Sequence, residues 1–167
     1  MAATISVKEV NGGATPVAST ITNMRFCTSD NYNPGTDYPC VKPSAGLNYS
    51  YKKTLYLNAD TSPSSIINNI KFFCDGTIGW TGVTIEVAAA DSYTEPEGVE
   101  GTSGTDASLN NDITTYTSAS PLSLTGSIEN PSTGKISQYL ELQAVISTDA
   151  VAGALAAETL SFQYDEV

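Results

Sequence analysis

Apolar and polar residues alternate along much of the chain, and residues that favour helices never form an amphipathic face of useful length. The first clear run is Ile5–Val10, where Ile5 and Val7 share one side. It ends at Asn11-Gly12-Gly13, which suits the positive φ angles of a turn. A period of two is the pattern of a half-buried strand, so the chain is predicted to be all-β.

Similar runs predict the remaining strands. They cover residues 17–27, 49–58, 66–74, 82–88, 113–116, 122–128, 139–147 and 159–164. Roughly nine strands in 167 residues are typical of one domain, here 1–167, built as a two-sheet antiparallel sandwich that is Ig-like or jelly-roll-like. The last two strands are expected to pair with each other through a turn at Gly153.

Two long loops interrupt the strands. Residues 29–47 contain Asn33-Pro34-Gly35 and show no periodicity, and residues 90–112 are polar and acidic. Because long loops in compact domains are often functional, Tyr32 and Tyr38 are candidate contact residues. The alternative is that these side chains only cover a sheet edge.

The charge balance restricts the partners. Eighteen acidic residues, seven basic residues and no histidine give a net charge of -11. Such a chain repels phosphate backbones and anionic lipids, so neither nucleic acid nor a membrane is expected as a direct partner. The chain shows no apolar run of transmembrane length and no signal-peptide pattern at its start, which predicts a soluble protein.

Catalytic chemistry has little support. Without histidine, Ser-His-Asp and Cys-His arrangements are excluded. Ser50 and Lys53 have the bare S-x-x-K spacing, but that motif opens a helix, whereas this segment is predicted to be a strand. A structural or adhesive role is therefore favoured over an enzyme, with no cofactor and no small-molecule substrate.

Several carboxylates cluster in the second loop. The weak calcium candidates are Asp91, Glu95, Glu97, Glu100 and Asp106. Calcium prefers oxygen ligands, but the spacing matches no EF-hand loop, and a solvated run of charge explains the cluster equally well. No metal site is assigned from the sequence.

The three cysteines match no zinc signature. Cys74 lies in an apolar run and is predicted to be a buried thiol. Cys27 and Cys40 flank the first long loop, so they are the one pair to test as a disulfide.

The second half of the chain resembles a group of small proteins. The similar segments are residues 80–87 (WTGVTIEV), 98–109, 134–139 and 158–166 (ETLSFQYDE). Proteins with this order of segments are virion structural components of tailed bacterial and archaeal viruses. The resemblance implies a capsid accessory or decoration protein, located in the virion after assembly in the host cytoplasm, that contacts copies of itself or a major capsid protein.

Two alternatives stay open. An adhesive or carbohydrate-binding sandwich would stack Trp80, Tyr32, Tyr38 and Tyr93 on sugars, with calcium ordering the acidic loop. A filament subunit would donate its N-terminal strand, residues 4–10, to the next copy.

Overall fold

The structure is a computed structural model that describes residues 2–105 and 109–167. Within those residues it is all-β and antiparallel, with one short 3-10 helix at Ile113–Thr115. The strands are β1 Ile5–Val10, β2 Ala18–Ile21, β3 Leu47–Tyr49, β4 Lys53–Ala59, β5 Ile66–Phe73, β6 Val83–Ala90, β7 Gly98–Val99, β8 Ser103–Gly104, β9 Asn111–Asp112, β10 Leu122–Leu124, β11 Ile128–Glu129, β12 Gly134–Lys135, β13 Tyr139–Ser147 and β14 Ser161–Glu166.

The larger sheet, sheet A, has the strand order β2-β1-β4-β13-β6-β9. Strand β12 also pairs with β4, and β3 pairs with the second half of β13. The smaller sheet, sheet B, has β5 at its centre, with β10 and β11 on one side and β14 on the other. Strands β7 and β8 form a separate two-stranded hairpin.

The hydrophobic core draws side chains from both sheets. Leu55, Leu140 and Leu142 come from sheet A, and Ile67 and Phe72 come from sheet B. All five side chains are at most 4% exposed. We call the face of sheet A whose side chains join this core the inner face, and the opposite face the outer face. This arrangement is consistent with a β-sandwich, and it confirms the prediction that the chain is all-β and antiparallel.

Two predicted strands match the structure closely. Strand β1 has its predicted bounds, and β13 spans Tyr139–Ser147 as expected. The predicted strand at 113–116 is wrong, because that segment is the 3-10 helix. There Asp112 caps the turn by accepting a hydrogen bond from the Thr114 amide at 2.8 Å, while Ile113 is fully buried.

Other predicted strands are shorter or broken. The second strand ends at Ile21 instead of residue 27. The run at 49–58 is divided into β3 and β4, and the run at 122–128 is divided into β10 and β11. The second break lies beside Gly126, which has a φ of 134° and lies against the carbonyl of Ile136. Irregular backbone of this kind leaves no trace in apolar periodicity.

The predicted pairing of the last two strands is also wrong. Strand β13 pairs with β6, β4 and β3 in sheet A, whereas β14 pairs with β5 in sheet B. The connection between them, residues 148–160, crosses from one sheet to the other instead of turning back as a hairpin.

No helix among residues 2–105 and 109–167 is long and apolar enough to cross a membrane.

Gly126 provides a direct test of the close contact between the segment after β10 and the Ile136 carbonyl. A Cβ atom there would lie 1.9 Å from the Ile136 carbonyl oxygen, whereas Gly153, with a similar φ of 132°, has open space around it. Gly153→Ala should lower the free energy of unfolding by about 1–3 kcal/mol through backbone strain alone. Gly126→Ala should lower the free energy of unfolding by about 1–3 kcal/mol more than Gly153→Ala does, because the clash with Ile136 adds to the backbone strain.

Urea unfolding of both variants measures the difference. Equal losses in the two variants would show that the contact with Ile136 is not tight in solution.

Candidate interaction surface

Three loops meet at one end of sheet A. We call residues 11–13, 28–41 and 95–102 at this end the apical surface. The Asp30 carboxylate accepts hydrogen bonds from the amides of Gly12 and Gly13 and from the Asn11 side chain. The 95–102 loop is joined to the 28–41 loop by a hydrogen bond from the Gly101 amide to the Thr28 carbonyl, at 2.7 Å. The structure therefore brings together segments that are far apart in sequence.

A buried ion pair holds the first long loop against the inner face of sheet A. The Lys53 ammonium lies 2.9 Å from the Glu9 carboxylate, and both side chains are fully buried. The same ammonium also donates to the Asn31 carbonyl in the loop. Burial raises the pKa of Glu9 above its usual value, and Lys53 opposes that rise.

A second ion pair holds the other long loop on the outer face of sheet A. The Lys52 ammonium lies 2.7 Å from the Glu141 carboxylate and donates to the Thr94 hydroxyl at 2.6 Å. Lys52 is only 2% exposed. Because consecutive residues of an extended chain point to opposite faces, the adjacent lysines anchor the two loops on opposite sides of one sheet.

The apical surface exposes large side chains. Tyr32 and Tyr38 are about two-fifths exposed, and Val41 and Val99 are 42% and 63% exposed. Tyr38 has a φ of 51°, a left-handed conformation that costs a bulky residue about 1–3 kcal/mol. Its carbonyl accepts a hydrogen bond from the Thr28 amide at 2.8 Å, which helps to hold this conformation. The loop thus presents Tyr38 in a defined position.

Carboxylates surround a depression of about 410 Å³ in this surface. Asp30, Glu95, Glu97 and Glu100 contribute to its lining. Glu100 accepts a hydrogen bond from the buried Ser29 hydroxyl at 3.0 Å. The resulting field is negative and favours a partner with a complementary positive surface.

The calcium candidates that the structure describes are not assembled into a metal site. Within the two described ranges, no group of three or more Asp, Glu, Cys or His side chains is placed to hold a metal ion. Asp91 instead accepts a hydrogen bond from the Gln138 side chain, whereas Glu95, Glu97 and Glu100 lie around the depression. The remaining candidate, Asp106, lies outside the described residues.

Trp80 and Tyr93, the other two aromatic candidates, lie outside the apical surface. The Trp80 ring packs edge-on against Phe26, and its Nε1 donates to the Ala156 carbonyl at 2.7 Å. The Tyr93 hydroxyl donates to the Gly13 carbonyl, and its ring packs against Tyr139. Burial, followed by nearby Asp30 and Glu95, raises the pKa of Tyr93. Both side chains therefore serve internal contacts.

The three cysteines are free thiols in this structure, including Cys27 and Cys40, the candidate pair for a disulfide. The Cys27 thiol is fully buried and donates to the Ser29 carbonyl at 3.2 Å. Burial, followed by neighbouring Cys27, raises the pKa of Cys40 to about 11. Cys74 is buried in the core, as predicted.

Sequence patterns did not reveal the residues that position the loops. The segment containing Lys52 and Lys53 was expected to be half exposed, yet both lysines are buried. Their only signal is two adjacent cations in a chain with seven basic residues, of which Lys53 is in line with the apolar positions Leu55 and Leu57. Glu9 likewise shares a face with Ile5 and Val7, which makes it an acid at a core position.

A scan against models of protein families and searches of curated proteins and of solved structures find no match to this chain.

Removing the cation of the inner ion pair should destabilise the protein. Lys53→Met leaves Glu9 as an unpaired buried carboxylate and should cost about 3–5 kcal/mol. The double variant Lys53→Met with Glu9→Leu should recover most of that loss, because no buried charge remains. Chemical denaturation of the single and double variants measures both effects.

Lys8→Met is the matched control. Lys8 pairs with Asp60 at 3.3 Å near solvent, so its loss should cost at most about 1 kcal/mol. Equal costs for Lys8→Met and Lys53→Met would contradict the anchoring role of the inner pair.

Cys40 should react slowly with alkylating reagents near neutral pH. Its pKa of about 11 lies above its ordinary value of 9.0, so the folded protein favours the protonated thiol. The rate of alkylation should keep rising up to about pH 11 in the folded protein and level off near pH 9 in urea. The stability contributed by this group should be lost as the pH rises from 9 through 11. Peptide mass spectrometry after timed alkylation measures the rate at Cys40. A plateau near pH 9 in the folded protein would contradict the prediction.

Proposed function

We propose that this protein is a virion structural component, a capsid-associated accessory or decoration protein that acts through protein–protein contacts. The observation that carries the proposal is the apical surface, whose loops expose tyrosines and valines and also carry the carboxylates that line the acidic depression. In this proposal the domain is a two-sheet sandwich, Ig-like or jelly-roll-like, and its partner is a shell protein or a further copy of itself.

The composition of the apical surface suits protein binding. Tyrosine is enriched among the residues that contribute most to binding energy, whereas surrounding polar residues mainly exclude water. Tyr32 and Tyr38 are about two-fifths exposed on the 28–41 loop, and the Tyr38 ring lies close to Gly101, which follows Glu100. The apical surface therefore combines exposed aromatic side chains with carboxylates.

The anchoring of the loops also supports binding. Ordering a loop on association costs free energy, and a loop that is already held avoids part of that cost. Lys53 holds residues around Asn31, and Lys52 holds Thr94 at the base of the other loop. The surface is therefore organised before a partner arrives.

Charge and sequence resemblance point the same way. A net charge of -11 opposes contact with a nucleic-acid genome and favours solubility on the outside of a shell. The resemblance of residues 80–87 and 158–166 to virion proteins of tailed viruses supports the same location.

Cosedimentation with empty shells tests the proposal. The shells are those of the virus whose genome encodes the chain, prepared without it. The purified protein should cosediment, and the double variant Tyr32→Ala with Tyr38→Ala should bind at least about tenfold more weakly, because two contact residues each contribute about 1 kcal/mol or more. Glu97→Lys should also weaken binding, with the largest effect at low salt.

Val17→Ala is the matched control, since Val17 is 76% exposed and lies outside the apical surface. Its binding should equal that of the parent protein. Failure of the parent protein to bind shells, together with its absence from purified particles by mass spectrometry, would refute the proposal.

A further inference from the structure

The middle of the connection between β13 and β14 is exposed and apolar. We call residues 148–160, which join β13 to β14, the strap. Every residue from Val151 to Ala157 is exposed, and none of them is charged. Val151 is 62% exposed and Leu155 is 42% exposed. An exposed apolar stretch without charges commonly marks an interaction site.

The strap is held to the rest of the chain near both ends. Near its start, Ala150 is buried in a cluster with Ala144 and Ile146, and near its end there are two side-chain hydrogen bonds. The Trp80 indole donates to the Ala156 carbonyl, and the Gly79 amide donates to the Glu158 carboxylate at 2.8 Å. The strap has no regular secondary structure. A segment of this kind opens at low cost compared with the core strands.

Strand β14 follows the strap and lies at a sheet edge. Among the described residues, β14 pairs with β5 alone. Its Phe162 ring packs against Phe72, with the ring centres 5.2 Å apart. At its end the Glu166 carboxylate accepts a hydrogen bond from the Ala3 amide at 3.0 Å. These contacts depend on the sequence of β14 and on the groove beside β5, and they do not depend on the path of the strap.

Strand β1 is less suited to leave its sheet. It is paired with β2 on one side and with β4 on the other, so its release would break two ladders. Release of β14 breaks one ladder. Of β1 and β14, the C-terminal strand is therefore the one that separates more readily.

We propose that β14 is exchanged between two copies of this chain, each copy seating its C-terminal strand beside β5 of the other. Only a second copy offers the same groove, with Phe72 for Phe162 and the Ala3 amide for Glu166. The exchange forms a two-fold symmetric dimer. The two straps run past each other in that dimer, and Val151 and Leu155 become buried between them.

Electrostatics favours this location for self-association. Two copies with a net charge of -11 each repel one another over most of their surface. The strap brings an uncharged stretch, from Ala150 to Ala157, to the contact. The exchange involves a different part of the molecule from the apical surface and does not depend on the proposed function.

Mass action governs the exchange. The monomer and the dimer contain the same β5–β14 contacts, so their balance depends on the strap and on concentration. The dimer fraction therefore rises with concentration. Exchange is slow, because Phe162 and Tyr164 must leave the core before the strand can move.

Cross-linking in trans tests the exchange. Lys71 and Gln163 lie directly opposite each other on β5 and β14. Opposed residues in antiparallel strands are roughly 4.5–5.5 Å apart at Cα, within reach of a disulfide. One copy carries Lys71→Cys and the other carries Gln163→Cys, in a background of Cys27→Ala, Cys40→Ala and Cys74→Ala. After incubation at high concentration and mild oxidation, these copies should form a mixed cross-linked dimer.

The control pair is Lys8→Cys in one copy and Thr20→Cys in the other. These residues are opposed in the hairpin of β1 and β2 and have similar exposure. Their yield of mixed dimer should be at least about tenfold lower. A single chain with both Lys71→Cys and Gln163→Cys should lock β14 in place and stay monomeric after oxidation. Equal yields from the two pairs, or a dimer that persists in the locked chain, would overturn the proposal.

Light scattering with the native cysteines provides an independent measurement. The strap variant Val151→Asp with Leu155→Asp should lower the dimer fraction at least about fivefold, because it places like charges between the two straps. Val17→Asp, at an exposed valine outside the strap, should leave it unchanged. A parent protein that stays monomeric at the highest attainable concentration, or equal losses in both variants, would refute the exchange.

Discussion

Two adjacent lysines at the start of β4, buried on opposite faces of sheet A, hold the two long loops in place. Lys53 pairs with Glu9 on the inner face, and Lys52 pairs with Glu141 on the outer face. A buried charge is tolerated only when it is paired and hydrogen-bonded, so each lysine requires a partner and further acceptors. The long loops supply those acceptors, through the Asn31 carbonyl and the Thr94 hydroxyl. The loops therefore supply hydrogen-bond acceptors that the buried lysines would otherwise find in water.

This constraint separates the molecule into two regions with different properties. The loops at the apical surface are tied to the sheet by charge, and they present exposed side chains in defined positions. In the strap at residues 148–160, the stretch from Val151 to Ala157 is exposed and uncharged, and a few contacts near its two ends hold it. A held surface suits recognition of a different partner, whereas a loosely held connection beside an edge strand suits exchange with an identical chain.

Local patterns predicted the regular strands well. Strand β1 and strand β13 were found at their expected residues, because alternation over six to nine residues directly reflects a sheet with two different faces. The prediction was wrong at 113–116, where a segment of residues that favour strands forms a 3-10 helix capped by Asp112. It was also wrong for the pairing of the last two strands, since pairing is a property of the sheet and not of either strand.

The sequence by itself determined that the protein is all-β, strongly acidic and free of histidine, because strand periodicity and charge are properties of the residues in order. Only the tertiary structure decided that Lys52 and Lys53 are buried, that Tyr32 and Tyr38 share a surface with Glu97 and that β14 is an edge strand. Burial and pairing arise between residues that are tens of positions apart. Such contacts depend on how the sheets stack, and a local pattern carries no record of that.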